Sequence, residues 1–180
     1  MFQIELIEKC KKNERKAQME LYRQYCDGMF CVAMRFLKNA EDAEDVIQDA
    51  FVKAFQKLDQ YRAEVTFGAW LKRIVVNKCI DFLKKKRENY LSLDETYMHV
   101  AEDDDWEIED GITMDEIRYA IECLPEKYKY VVMLYLIEGY DHNEISEIMK
   151  ISETASRTQL MRAKNKLKES LKSKRYGTRS

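Results

Sequence analysis

The chain has 180 residues with one proline and five glycines, which suits one ordinary domain or two small ones, excludes a hairpin-rich β fold and predicts an all-α fold. Its net charge of -2 hides a segregation: residues 60–87 carry six positive charges in excess, residues 88–117 twelve acids and no base, and residues 150–180 eight positive charges in excess. Two basic patches separated by an acidic strip indicate a nucleic-acid partner, because nucleic acid responds to the local field rather than to the net charge.

The first part of the chain predicts three helices. Residues 1–38 contain two of them, with apolar positions Ile4, Ile7, Met19, Tyr22, Cys26, Met29, Phe30, Ala33, Met34 and Leu37. Asn39, followed by an acid at Asp42, is typical of a helix start. The third helix has an apolar face formed by Val46, Ile47, Ala50, Phe51, Ala54, Phe55 and Leu58. Its other face carries Asp45, Gln48, Asp49, Val52 and Lys53.

A loop at residues 61–65 then leads into a basic helix that begins near Thr66. One stripe of this helix carries side chains that can contact bases or phosphates, namely Arg73, Asn77, Asp81 and Lys84. Aromatic residues interleave with the basic ones, as single-strand binding requires: Tyr61, Phe67 and Trp70. The alternatives are core aromatics beneath a solvated face and, for the basic run 84–87, simple favourable placement at a helix C-terminus.

Residues 88–112 lose helical periodicity and are strongly acidic. So much like charge around few hydrophobic residues predicts a flexible linker. A segment of this charge cannot lie on DNA, so it either follows a positive surface of a partner or acts as a solubilising tether.

The second part of the chain begins with a capping box, Thr113 to Glu116. Pro125 suits the first turn of the next helix, which is expected to run to Gly139 with Val131, Val132, Leu134 and Tyr135 as its apolar positions. Asp141 and Glu144 predict the start of a short helix that ends near Met149.

A three-residue turn, 150–152, and a long basic helix from Glu153 complete a helix-turn-helix pattern over residues 140–171. In the long helix, Leu160, Ala163, Leu167 and Leu171 are expected to face inward and Arg157, Thr158, Met161, Arg162 and Asn165 outward. The alternative is an ordinary amphipathic helix with a solvated basic face.

Catalysis is not expected. The two histidines, His99 and His142, have no cysteine at metal-ligand spacing, and no nucleotide-loop or hydrolase motif occurs, so neither metal nor cofactor is expected.

The five cysteines, odd in number and without framework spacing, predict buried free thiols in a reduced cytosol: Cys10, Cys26, Cys31, Cys79 and Cys123. With no signal segment and no apolar run of about 20 residues, we expect a cytoplasmic protein that does not enter the membrane.

Three segments, DAEDVIQDAFVKAFQKL, FGAWLKRIVVNKCIDFLKKKR and LPEKYKYVVMLYLIEGYDHNEISEIMKISETASRTQLMRAKNKL, resemble in order and spacing the extracytoplasmic-function group of the sigma-70 family of RNA polymerase sigma factors. The resemblance covers residues 20–172. It implies a sigma-2-type domain at 1–87, the acidic linker at 88–112, a sigma-4-type domain at 113–174 and a tail at 175–180.

The resemblance also implies roles for individual residues. Docking on core RNA polymerase falls to Asp45, Gln48, Asp49 and Lys53. Recognition and melting of the −10 promoter element fall to Tyr61, Arg62, Trp70, Arg73, Asn77, Asp81 and Lys84. Recognition of the −35 element falls to Ser156, Arg157, Thr158, Gln159 and Arg162. The implied partners are core RNA polymerase, promoter DNA and an anti-sigma protein, and the linker is expected to thread toward the RNA path of the polymerase.

The sequence departs from the family pattern in two respects. Thr154 and Ala155 stand where many members have Gly-Thr, which puts a cap or phosphate contact in doubt, and Met161 occupies a position that is often small or polar.

Two rival functions are a stand-alone helix-turn-helix repressor or activator and a helical protein that sequesters a partner without touching DNA. The first leaves the polar face of Asp45, Gln48 and Asp49 unexplained, and the outward arginines Arg157 and Arg162 argue against the second.

Overall fold

The computed structural model describes residues 2–88 and 112–177, and within them the side chains of residues 4–86 and 112–172. The chain divides into two compact units, Met1–Leu93 and Asp94–Ser180. Every regular element within the described residues is a helix, which confirms the all-α prediction. None of these helices has the length and apolar character needed to cross a membrane. The predicted acidic linker, apart from its two end residues, and residues 178–180 of the predicted tail lie outside the described residues.

Within residues 2–88, the first unit has four α-helices and a short 3-10 helix. They are α1 (Phe2–Lys11), α2 (Arg15–Leu37), α3 (Ala40–Gln56), the 3-10 helix Leu58–Gln60 and α4 (Phe67–Glu88). Helices α2, α3 and α4 pack against one another in a three-helix core, and α1 packs on α2. The core therefore lies between the helix expected to face the polymerase and the helix expected to face DNA.

The start of α3 and its apolar face are as predicted. The side chain of Asn39 accepts a hydrogen bond from the backbone N–H of Asp42 at 2.9 Å. The buried residues of α3 are Ala43, Val46, Ile47, Ala50, Phe51 and Ala54. Helix α4 begins in the same way, because Thr66 Oγ1 accepts from the N–H of Ala69 at 3.3 Å. These caps fix where each of the two functional helices begins.

The apolar positions predicted for α1 and α2 are partly wrong. Ile4 is 63% exposed and Met19 is 48% exposed. The buried residues of α2 are Ala17, Leu21, Met29, Val32, Ala33, Phe36 and Leu37. Because α2 packs against three other helices, its buried positions follow more than one stripe.

The prediction that the cysteines are buried holds for two of them. Cys10 and Cys79 are buried, Cys26 is half-buried, and Cys31 and Cys123 are exposed. All five are free thiols.

In the second unit, the part described, residues 112–177, has four α-helices and a π-helical turn. They are α5 (Met114–Glu122), α6 (Glu126–Val132), the π-turn Met133–Ile137, α7 (His142–Met149) and α8 (Glu153–Gly177). Helix α8 packs against α5, α6 and α7. The buried residues of this unit include Ala120, Leu124, Val131, Ile145, Ile148, Leu160, Ala163 and Leu167.

Both predicted capping boxes form. The N–H of Glu116 donates to Thr113 Oγ1 and the Glu116 carboxylate accepts from the N–H of Thr113. Asp141 and Glu144 make the same reciprocal pair, at 2.8 and 3.0 Å.

The helix predicted to run unbroken to Gly139 instead changes character at Met133. The N–H of Glu138 donates to the carbonyl of Met133, five residues earlier, at 2.9 Å. This wider turn shifts the following side chains out of the 3.6-residue phase, so Tyr135, expected to face the core, is 37% exposed. Leu136 and Ile137 are each 49% exposed.

Candidate functional site

The polar face of α3 is open to solvent, as the sequence predicts. Asp45, Gln48 and Asp49 are exposed, and Lys53 is half-buried. Because α3 turns its apolar residues into the three-helix core, this face can dock a partner without disturbing the fold.

Two ion pairs, which the sequence did not indicate, join α3 to α4. Lys78 Nζ lies 3.3 Å from Asp49 Oδ2, and Lys86 Nζ lies 3.2 Å from Asp42 Oδ2. Exposed pairs of this kind contribute about 0–1 kcal/mol to stability. Asp49 therefore pairs with Lys78 of its own chain, and the same carboxylate is exposed to a partner protein.

Aromatic rings hold the loop between the 3-10 helix and α4. The ring of Tyr61 packs at 88° to Phe67, with centroids 5.6 Å apart, and Trp70 lies 5.4 Å from Tyr61. The Tyr61 hydroxyl donates to the carbonyl of Val65 at 2.7 Å, which closes the loop on itself. Burial, followed by the neighbouring Tyr25, raises the pKa of Tyr61, so its hydroxyl stays protonated as a donor.

Of the three interleaved aromatics, one belongs to the core and two reach the surface. Phe67 is 1% exposed, so for this residue the core alternative is correct. Tyr61 and Trp70 are half-buried, and Arg62 beside them is exposed. Partly exposed rings of this kind can offer surface to an unstacked base.

A cavity of about 480 Å³ opens beside this loop. Its walls include Tyr61, Arg62 and Phe67 from the loop region and Ile7 and Lys11 from α1. No pattern in the sequence indicates the contribution of α1, because that wall depends on how α1 folds back against the loop.

The predicted stripe on α4 is partly engaged within its own helix. The Asn77 side-chain amide donates to the carbonyl of Arg73 at 2.9 Å. Arg73, Asn77 and Lys84 are half-buried, and Asp81 is exposed. The stripe is therefore accessible, with the Asn77 amide held in a fixed orientation.

In the second unit, the turn between α7 and α8 has a defined geometry. Lys150 adopts the left-handed conformation (φ 57°), and its N–H donates to the carbonyl of Ser146. Ser152 then caps α8, since its Oγ accepts from the N–H of Ala155 at 3.0 Å. The doubt raised by Thr154-Ala155 is thus resolved for the cap, which Ser152 supplies.

Helix α8 turns its apolar stripe inward and its first arginine outward. Leu160, Ala163 and Leu167 are buried. The Arg157 guanidinium is exposed and lies 3.3 Å from the Glu153 carboxylate, one turn earlier. The Thr158 hydroxyl is bound to its own helix, because it donates to the carbonyl of Thr154 at 2.9 Å. Arg157 is therefore the most accessible of the residues predicted to read the −35 element.

Ser156 does not fit its predicted role. It is 0% exposed, and its Oγ lies 2.9 Å from His142 Nδ1. The family resemblance implied a DNA contact for Ser156. A step of one residue along a helix turns the side chain by roughly 100°, so Ser156 points away from the direction of Arg157 and into the contact with α7. Ser156 is a structural residue rather than a DNA contact.

Gln159 and Arg162 are half-buried. The Oε1 atom of Gln159 and the Nε atom of Arg162 are buried, and neither has a hydrogen-bond partner within the described part of the chain. Only the outer parts of these two side chains can reach a ligand.

His142 is the residue that sequence reasoning missed. Its ring stacks on Tyr135, with centroids 4.8 Å apart and planes at 24°. Burial lowers its pKa, and the positive charge of Arg157 lowers it further. Its position directly after the capping Asp141 predicts that it begins α7, but it does not predict the contacts with Ser156 and Tyr135.

Within residues 2–88 and 112–177, no group of three or more His, Cys, Asp or Glu side chains is placed to hold an ion.

Two family models match the chain, one in each unit. Sigma-70 region 2 matches residues 21–89, and Sigma-70, region 4 matches residues 114–167. The ECF RNA polymerase sigma factor SigW of Bacillus subtilis is 29% identical over 178 residues, which cover 92% of this chain and 95% of SigW. The RNA polymerase sigma factor SigV of the same organism is 30% identical over 132 residues, which cover 73% of this chain and 77% of SigV.

Solved structures share the fold. CnrH, solved in complex with the cytosolic domain of CnrY, aligns with a TM-score of 0.55 at 22% identity over 93% of this chain and 96% of CnrH. The sigma factor RpoE of Bartonella quintana, solved with the anti-sigma factor NepR, also aligns with a TM-score of 0.55, at 21% identity over 86% of this chain and 96% of RpoE.

Proposed function

The chain belongs to the extracytoplasmic-function group of the sigma-70 family and directs promoter-specific initiation of transcription, and we propose which of its surfaces perform each step. The observation that carries the function is the order of the two matched regions, each on its own helical unit, with a helix-turn-helix in the second. Neither rival function explains why both regions occur in one chain.

Core RNA polymerase docks on the outer face of α3. The face presents two exposed carboxylates, Asp45 and Asp49, with the Gln48 amide between them. The α3 core beneath it is closely packed, so binding requires no rearrangement of the helix. A partner surface that carries basic side chains fits this face.

The −10 element is read where the aromatic loop meets α4. Tyr61 and Trp70 offer ring surface to unstacked bases, Arg62 supplies positive charge, and the adjoining cavity gives space for a base that has left the duplex. The stripe of Arg73, Asn77, Asp81 and Lys84 continues the surface along α4. Strand opening then uses binding energy, which offsets an unstacking cost of roughly a few kcal/mol, and needs no hydrolysis.

The −35 element is read as duplex by α8 in the major groove. Arg157 projects from the N-terminal part of this helix, where recognition helices contact base edges. The buried Nε of Arg162 leaves the outer part of that guanidinium for a base or a phosphate.

A regulatory protein is the remaining partner. CnrH and the B. quintana RpoE were each solved with a bound protein, and for RpoE that protein is an anti-sigma factor. An anti-sigma protein that covers one of the surfaces above is the corresponding regulator of this chain. Because this chain acts together with core RNA polymerase, we propose that it is located in the cytoplasm.

Run-off transcription with purified core polymerase tests the function. The template is a library with randomised −35 and −10 positions, transcribed with and without the chain. We expect transcripts only with the chain, enriched in one −35 and one −10 sequence. A repressor would instead bind DNA without core polymerase and yield no transcripts, and a sequestering protein would neither bind DNA nor yield transcripts; either result overturns the proposal.

A further inference from the structure

The contact between the two helices of the helix-turn-helix contains a hydrogen-bonded polar pair. The Ser156 hydroxyl on α8 lies 2.9 Å from Nδ1 of His142 on α7. Among the described residues, Ser156 and Glu138 are the buried residues that are polar or charged. Burying a hydroxyl costs free energy unless a partner satisfies it, and here His142 is that partner.

His142 also contacts a third element. Its ring stacks on Tyr135, which the π-turn carries outward from the helix core. One side chain therefore joins the π-turn, α7 and α8, and the stack on Tyr135 fixes the plane in which Nδ1 meets the hydroxyl.

Charged groups surround the imidazole on two sides. From α8 they are Arg157, Glu153 and Lys164, and from the start of its own helix Asp141. Burial and Arg157 lower the pKa of His142, so the ring is neutral at neutral pH. A neutral imidazole has one donor and one acceptor nitrogen and can satisfy a hydroxyl in either direction.

We propose that His142 is a positioning residue for promoter recognition: by its bridge to Ser156 it fixes where α8 lies on α7, and thereby where Arg157 meets the −35 element. The proposal rests on α8 being the −35 reader.

A buried hydrogen bond fixes the register of α8 on α7 more narrowly than apolar contacts do. Apolar contacts such as those of Leu160 and Ala163 are nearly as favourable after a small slide or rotation of the helix, because similar area stays buried. A buried hydrogen bond is satisfied in one arrangement only. Arg157 directly follows Ser156, so any displacement of Ser156 moves the guanidinium, and a binding group must stay within about 0.5 Å of its productive position.

A pair of substitutions separates positioning from stability. His142→Phe keeps the stack on Tyr135 but removes the hydrogen bond, and Ser156→Ala removes the hydroxyl. The double variant leaves an apolar pair with no unsatisfied group. Two quantities are measured in the full chain: hydrogen-exchange protection of the α7 and α8 amides, and the ratio of transcription by holoenzyme from the selected −35 to that from single-base variants.

We expect His142→Phe to lose amide protection and to lower the transcription ratio by about threefold or more, the effect of one hydrogen bond. The double variant should regain most of the protection, since no buried hydroxyl is left unpaired, while its ratio stays low. His142→Asn, whose amide can again pair with the hydroxyl, should restore the ratio in part. Asn143→Ala, on an exposed neighbour in α7, is the matched control and should change neither quantity.

If protection and ratio recover together in the double variant, His142 is only a structural residue and the proposal is wrong. If the ratio is unchanged in all these variants, the proposal is likewise wrong. Arg157→Ala separates a failure of this proposal from a failure of the proposed function. If the transcription ratio is unchanged in Arg157→Ala, α8 is not the helix that reads the −35 element.

Discussion

In the first unit, the surface proposed to read the −10 element is held by ring packing, with Phe67 buried beneath Tyr61 and Trp70. In the second unit, the start of α8, the helix proposed to read the −35 element, is held by a hydrogen bond, a cap and an ion pair: His142 with Ser156, Ser152 with Ala155, and Glu153 with Arg157. Apolar packing responds little to salt or pH, whereas hydrogen-bonded and charged contacts respond to both. The two reading surfaces of one chain should therefore fail under different conditions.

The difference matches what each surface has to bind. Single-stranded bases are flexible, and a broad aromatic surface accepts them in more than one way. A duplex presents fixed donors and acceptors in its groove, which require a guanidinium at a defined position. Directional interactions are therefore expected where a duplex is read and ring packing where single strands are bound.

Truncation of the buried ring should have the largest effect. Phe67 is 1% exposed and contacts three other rings. Phe67→Ala should cost about 3–5 kcal/mol of the unfolding free energy of the first unit, from lost burial and the cavity left behind. Hydrogen exchange of the α2–α4 amides in the full chain measures this loss.

The amides of α7 and α8 are the internal control, and their protection should not change. Phe67→Leu, which keeps most of the apolar volume, should lose much less. Equal loss of amide protection in both units would contradict the expectation that the two surfaces are stabilised independently.

The exposed arginine of α8 should have the next largest effect. A bidentate arginine–guanine contact supplies about 1–3 kcal/mol of discrimination. Arg157→Ala should therefore lower transcription from the selected −35 by about tenfold while partly erasing the penalty of an altered −35. Breaking its ion pair with Glu153 adds little, because both side chains are exposed.

Arg162→Ala is the matched comparison. Its half-buried side chain suits a backbone contact, so its loss should lower binding to all −35 sequences alike and reduce the salt slope by about one counterion. If Arg157→Ala leaves the ranking of −35 variants intact, the assigned register of α8 is wrong.

Local signals in the sequence were sufficient for the parts of the molecule that depend on neighbours along the chain. The cap at Asn39, the boxes at Thr113 and Asp141 and the single apolar face of α3 all follow from spacings of three or four residues. The open polar face of α3 and the exposed Arg157 follow from the same periodicity.

The remaining features depend on contacts between elements. The π-turn at Met133 shifts the helical phase, so Tyr135 could not be placed by counting in 3.6-residue steps. The resemblance implied a DNA contact for Ser156, and the sequence does not reveal that His142 lies opposite it. The α1 wall of the cavity and the ion pair between Lys78 and Asp49 join residues far apart in sequence, which periodicity does not address.

The second unit should be sensitive to mild acid through His142. Its pKa is lowered in the folded chain, by burial first and Arg157 second, whereas in the unfolded chain it returns to about 6.5. As the pH falls below about 6.5, the unfolded chain binds a proton that the folded chain resists, so folding stability decreases until the folded pKa is reached. Amide protection of α7 and α8 between about pH 7.5 and 5.5, above the carboxylate range, measures this loss.

His142→Phe removes the titrating group, so its protection should be lower throughout but flatter across that range. The first unit serves as the reference at each pH. An equal slope in the wild type and His142→Phe would assign the pH dependence to another group.

The smallest effect on stability is expected on the polar face of α3. Asp49 and Lys78 are 73% and 28% exposed in their side chains, and such a pair contributes about 0–1 kcal/mol. Gln48→Ala combined with Asp49→Asn should therefore weaken association with core polymerase while the protection of α2–α4 amides changes little. Lys78→Gln breaks the same ion pair but leaves the α3 face intact, so it separates the two roles of Asp49. Core binding measured by fluorescence anisotropy should fall in the α3 variant and stay unchanged in Lys78→Gln; equal losses in both would mean that the ion pair, rather than the exposed face, is what core polymerase requires.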